Sequence, residues 1–212
     1  ENNKLWAAAK DMVNAQLSDL NLVALYTCPW PGQGFYFNKA VNSSKDTQGV
    51  KFRSYNSATA TFAEELGMVP VQVEAAELSQ ALATGVAESF ISSGSTGYDR
   101  KVWEHLSHYY KVNAWLPRNY VMVNKGVWEG LSSDMKGAIQ KAADETGAAC
   151  SAKSAELANW YFEQLEANGM AVEDASPEFL AELQAIGAKM TSDWLASAGA
   201  DGQAILDAYK SN

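Results

Sequence analysis

Short apolar runs alternate with longer stretches of helical periodicity along this 212-residue chain, and that alternation constrains the fold most. Runs of three to six residues rich in β-branched, aromatic or aliphatic side chains read as buried strands, and apolar residues spaced three and four apart read as helices. Leu22-Val23-Ala24-Leu25-Tyr26, Phe35-Tyr36-Phe37, Val50-Lys51-Phe52-Arg53, Val69-Pro70-Val71-Gln72-Val73, Val86 to Ile91, Tyr120-Val121-Met122-Val123 and Met170 to Val172 are the strand-like runs. Pro70 places its strand at an edge or a start, because proline cannot donate to a ladder. Helical spacing covers the opening segment (Leu5, Ala9, Met12, Gln16, Leu20), 58–66 ending at Gly67, 75–84, 103–110, 133–167, a segment opened by Ser176-Pro177 and stopped by Gly199, and 202–209. The pattern is that of an α/β protein.

The composition, 47% hydrophobic and 19% charged, allows one large domain or two small ones with a real core. A net charge of −9 argues against nucleic acid, whose readers concentrate Lys and Arg on one face. No apolar run has the length of a membrane span, and no basic cluster suits an anionic lipid surface. The chain opens directly on an amphipathic helix with no signal peptide, so a preceding segment is expected. Cys28 and Cys150 match no zinc or redox spacing; each sits among apolar or small residues, which favours buried thiols over a disulfide.

Signals for enzymatic chemistry fail one by one. His105 and His108, the only histidines, fall three apart on the expected 103–110 helix, whereas zincins need four-residue spacing with a glutamate between. Ser93-Gly94-Ser95-Thr96-Gly97 has the composition of a nucleophile elbow in the wrong order. Gly32 and Gly34 are followed by a strand rather than a helix, against the dinucleotide fingerprint.

What remains is a set of binding parts at strand ends. Arg53 is one of three arginines and closes a strand at a junction with the next helix, where a planar fork of donors matches a carboxylate. Ser92 and Ser93 end another strand ahead of glycines and offer hydroxyl and amide donors. Trp30 and Trp115 lie beside prolines in extended segments, and Phe35 and Tyr55 add aromatic surface. Arg118, between Pro117 and Asn119, is a second carboxylate partner or the cation of a salt bridge.

Gly49-Val50-Lys51-Phe52-Arg53, then a helix, Gly67-Met68-Val69-Pro70-Val71, Glu77-Leu78, Ala81-Leu82-Ala83-Thr84-Gly85-Val86, and Trp115 to Leu131 with Val121-Met122-Val123-Asn124-Lys125 follow in one order. In that order they resemble the solute-binding proteins of TRAP (tripartite ATP-independent periplasmic) transporters over essentially the whole chain. The resemblance implies two α/β lobes joined by strand hinges and spanned by a long helix, with a ligand cleft between them. Lobe I would comprise 1–30 and 121–158 and be incomplete, lobe II 31–120 and 159–212, and the hinges would fall near 27–36 and 113–121. It implies a periplasmic receptor, not an enzyme, that captures an organic acid and delivers it to the membrane subunits of a transporter. Neither nucleic acid nor membrane insertion is implied.

By the same resemblance Arg53 holds the ligand carboxylate, with Ser92, Ser93, Tyr55, Trp30, Phe35, Trp115 and Arg118 around it. Ser92 stands where the family often has an asparagine, and Glu74-Ala75-Ala76-Glu77 replaces a motif that supplies an aromatic wall. The aromatic set suggests an aromatic acid or a compact hydroxy- or oxo-acid. No cofactor is expected; some members bridge the acid through a metal ion, but no carboxylate set for one is visible here. An extracytoplasmic sensing module on the same fold is the alternative, and an enzyme on that fold comes third.

Overall fold

A computed structural model describes residues 1–211, and the chain divides into two compact units. The first contains residues 1–30, 116–156 and those from 192 on; the second contains 31–115 and 157–191. Residues 192 onward group with the first unit, whereas the sequence reading placed them with 159–191.

In the first unit, α1 (Asn2–Asp19) ends where Asn21 turns into the left-handed region at φ 61, a position that asparagine tolerates better than most residues. Strand β1 (Leu22–Pro29) pairs antiparallel with β7 (Arg118–Asn124) as a two-stranded sheet. The short α5 (Lys125–Glu129) follows, capped by Asn124, whose side chain accepts from the Val127 amide. The unit also holds the first part of α6 (Ser133–Ala167).

Cys28 and Cys150 form a disulfide within this unit, which corrects the reading of them as thiols. The end of β1 and the body of α6 bring their Cα atoms to 5.7 Å, inside the range that a disulfide requires. Both cysteines are half-buried, and small or apolar sequence neighbours suit a bridged pair as well as a thiol.

The second unit is built on a six-stranded sheet in the order β4-β3-β5-β2-β6-β8: β2 is Gln33–Phe37, β3 Lys51–Ser54, β4 Val69–Gln72, β5 Ser89–Ser92, β6 His108–Trp115 and β8 Ala171–Glu173. Every neighbouring pair is parallel except those made by β2, which runs against both β5 and β6. β4 is an edge strand, as Pro70 foretold. One face carries Phe35, Phe37, Phe52, Phe62, Phe179 and their neighbours; the other carries Tyr36, Phe90, Tyr109, Leu78 and Leu165.

Helix α2 (Ser57–Glu65) opens on a capping box in which the Thr59 amide donates to Asn56 Oδ1 at 2.8 Å and Thr59 Oγ1 accepts from the Asn56 amide. It stops at Gly67, whose φ of 71 suits a residue without a Cβ. A 3-10 turn at Ala75–Glu77 leads into α3 (Leu78–Ala83), and α4 (Gly94–Asp99) follows β5 directly. Helix α7 (Pro177–Ser211) starts on Ser176, whose hydroxyl accepts from the Phe179 amide at 3.0 Å, and is broken by the non-helical Gly199.

The expected helix over 103–110 is a second correction. Only a 3-10 turn at Val102–Glu104 is helical there, and His108 opens strand β6. His-Tyr-Tyr-Lys-Val-Asn-Ala-Trp is rich in aromatic and β-branched residues, and β2 and β8 offer it ladders on both sides. The two histidines therefore do not share a helix face.

Candidate functional site

The sequence candidates of the second unit converge on one end of its sheet. β3, β5 and β6 all run toward that end, and β2, running the other way, begins there. Arg53, Ser54 and Tyr55 therefore share the rim with Ser92 and Ser93, with Trp115, and with Gln33 and Gly34. Carboxyl ends of parallel strands are where open α/β sheets place ligands.

Arg53 pairs with Val71 on one side and Phe90 on the other, and is 5% exposed. Its Nε donates to the Val73 carbonyl at 2.8 Å, and its guanidinium carbon lies 5.2 Å from the centroid of the Tyr55 ring. Among the described residues it makes no ion pair within 4 Å. Among the described residues the only buried side-chain nitrogen or oxygen without a partner is Ser89 Oγ, so the two terminal nitrogens of Arg53 reach solvent. Burial pushes its pKa below the ordinary value, and Tyr55 and then Glu74 pull it back up. A buried cation whose terminal donors are unpaired favours an anion strongly.

Tyr55 donates its hydroxyl to Gln33 Oε1 at 2.8 Å, and burial raises its pKa. Gln33, absent from the sequence candidates, is itself buried. Trp115 faces it in the ladder and packs edge-on against Phe62 at 5.2 Å. The bulge after Gln33 needs Gly34, since a Cβ there would collide with the Tyr110 carbonyl and the Tyr109 hydroxyl.

Ser92 Oγ donates to Thr96 Oγ1 at 2.8 Å, and the Ser93 and Ser95 hydroxyls bond at 2.7 Å. Both serine hydroxyls thus engage the first turn of α4. Tyr36 fixes that turn from below, donating to the Ser93 carbonyl at 2.9 Å. Phe35 is fully buried among Phe37, Phe52, Phe62 and Phe179, which makes it a core residue.

Trp30 and Arg118 belong to the first unit. Trp30 is 41% exposed, and its amide donates to the Pro117 carbonyl at 3.0 Å. Arg118 spreads its donors over neutral groups rather than the carboxylate of a salt bridge: Nε to Asn2, one terminal nitrogen to Thr27 and the other to Asn3, with Trp6 stacked 5.4 Å away. A groove of about 560 Å³ in the same unit, lined by Trp6, Lys10, Tyr26 and Asp144 among others, includes none of the eight candidates.

No group of three or more His, Cys, Asp or Glu is gathered among the described residues, and no helix among them is long and apolar enough to cross a membrane.

The sequence model of bacterial extracellular solute-binding protein, family 7 (DctP) matches residues 7–197. A TRAP solute-binding protein of an unidentified marine microbe, specific for pyroglutamate and crystallised with co-purified pyroglutamate, is 84% identical; the match covers 100% of this chain and 69% of that one, with a TM-score of 0.97. Two extracytoplasmic solute receptors of Bordetella pertussis that bind pyroglutamic acid are 41% and 36% identical. Those matches cover 100% and 98% of this chain and 70% and 69% of theirs, with TM-scores of 0.97 and 0.96. A match along nearly all of the chain, carried at high identity, leaves one assignment: the chain belongs to the bacterial extracellular solute-binding proteins, family 7.

Proposed function

We propose that this protein is a periplasmic receptor that captures pyroglutamate and hands it to the membrane subunits of a TRAP transporter, without acting on it chemically. The observation that carries the reading is Arg53, a buried guanidinium with Nε bonded to Val73, no ion-pair partner among the described residues, and both terminal nitrogens open to solvent. A carboxylate completes such a fork with two parallel charge-assisted hydrogen bonds. Pyroglutamate is a compact five-membered lactam bearing one carboxylate, and a rim with one unpaired guanidinium suits a monocarboxylate. Three relatives at 36% identity or more bind that acid, which favours it over the aromatic acids that the side-chain inventory alone suggested. Four other candidates serve around that anchor: Tyr55 supports the guanidinium, Ser92 and Ser93 shape the turn beside it, and Trp115 forms a wall.

Calorimetric titration of the protein with pyroglutamate, succinate, glucuronate and proline tests the reading. Pyroglutamate binds most tightly, is recovered unchanged, and at about 100 times its Kd adds about 2.7 kcal/mol of stability. Silence with pyroglutamate alongside binding of another acid, or its conversion to a new product, overturns the reading.

A further inference from the structure

We propose that Gln33 is the specificity residue for the ligand ring, donating an Nε2 hydrogen to the lactam carbonyl of pyroglutamate. The proposal rests on the pyroglutamate reading above and assigns a role to a residue that the carboxylate anchor does not explain.

Gln33 is the first residue of β2, at the same end of the sheet as Arg53, and only 7% of it is exposed. Its Oε1 accepts from the Tyr55 hydroxyl at 2.8 Å. That bond sets the carbonyl end of the amide toward the phenol. The amide is therefore fixed the other way round at its far end, where Nε2 presents two hydrogens. Nε2 bonds to no described residue, and it is not among the buried unpartnered atoms, so it faces open space.

The same Tyr55 ring lies against the Arg53 guanidinium. One phenol thus holds a carboxylate anchor over its ring and an oriented amide donor at its hydroxyl. A lactam acid carries the complement: a carboxylate on one side of the ring nitrogen and a carbonyl acceptor on the other. The ladder pairing of Gln33 with Trp115, and the bulge at Gly34, set where the amide stands. A donor that the bound ligand covers, and must therefore satisfy, rejects an analogue lacking the acceptor far more strongly than a merely apolar pocket does.

The test compares pyroglutamate with cyclopentanecarboxylate, which keeps the carboxylate on a five-membered ring and lacks the lactam. The unsubstituted protein prefers pyroglutamate by roughly a hundredfold or more, in keeping with sites built around a ligand hydrogen bond. Gln33→Met keeps the volume and removes the donor. It weakens pyroglutamate by about tenfold or more while leaving cyclopentanecarboxylate within about threefold, so that the preference collapses. Gln33→Asn, which withdraws the amide by one methylene, gives the same change of ratio should the Met variant fail to fold. Retention of the preference in these variants overturns the proposal. Equal weakening of both acids also overturns it, since that is what loss of Tyr55 orientation alone produces. Failure of the unsubstituted protein to bind pyroglutamate overturns the function reading and this proposal together, and is distinguished by appearing before any substitution is made.

Discussion

Arg53 is held by two contacts that leave its working edge free: the guanidinium lies 5.2 Å from the Tyr55 ring centroid, and Nε donates to the Val73 carbonyl. A lysine at this position keeps the charge and loses the fork, the Val73 bond and the stacking plane. Arg53→Lys is expected to weaken acid binding by about tenfold or more, measured by titration with pyroglutamate. A lysine variant that binds as tightly as the parent would show that charge alone suffices.

The Cys28–Cys150 bridge closes a loop spanning 122 residues of sequence. On a chain-entropy estimate, a loop of that order contributes about 4–5 kcal/mol by restricting the unfolded chain. Cys28→Ser or Cys150→Ser therefore lowers the melting temperature, and a reductant lowers it in the parent but not in either variant. The comparison needs only thermal melts with and without dithiothreitol.

Arg118 illustrates a candidate whose surroundings give it a packing role. It bonds Asn2, Asn3 and Thr27 and stacks on Trp6, tying α1 to the β1–β7 sheet. Arg118→Ala is expected to cost about 1–3 kcal/mol of stability in urea unfolding. Its effect on pyroglutamate affinity stays well below that of substitutions at Arg53.

Tyr36 and Tyr109 are buried hydroxyls whose pKa values rise because burial disfavours the phenolate. Their folded values lie above their unfolded ones, so the unfolded chain loses these protons first as pH rises. Stability is therefore fully present below about pH 10 and falls above it. Tyr109→Phe flattens that alkaline loss in denaturant unfolding measured from pH 8 to 11.

Much of the fold was legible because it is locally encoded. Gly67 ends α2, Ser176 caps α7, Pro70 sits on an edge strand, and the long helix over 133–167 appears at those bounds. What was missed depends on partners distant in sequence. His108 to Tyr110 becomes a strand because β2 and β8 flank it, and Cys28 meets Cys150 only once β1 and α6 are assembled.

The site divides in the same way. Arg53 is conspicuous as a rare cation at a strand end, and the structure sets it beside Tyr55. Gln33, in a turn-rich stretch between glycines, carries no comparable local signal. Its position before the aromatic run Phe35-Tyr36-Phe37 marks a strand start, but only the Tyr55 bond and the Trp115 pairing bring it into the site. Phe35 has the composition of a pocket wall and the surroundings of a core residue, because β2 is buried on both faces.

The most direct measurement is calorimetric titration of pyroglutamate into the parent protein and Arg53→Ala, with melts verifying that both are folded. Removal of a charge-assisted bidentate contact at a buried site is expected to cost about 3–5 kcal/mol, a loss of at least about a hundredfold in affinity. A clear binding isotherm is expected for the parent and none for the folded variant at the same concentrations. An unchanged isotherm for Arg53→Ala would contradict the anchor role of Arg53.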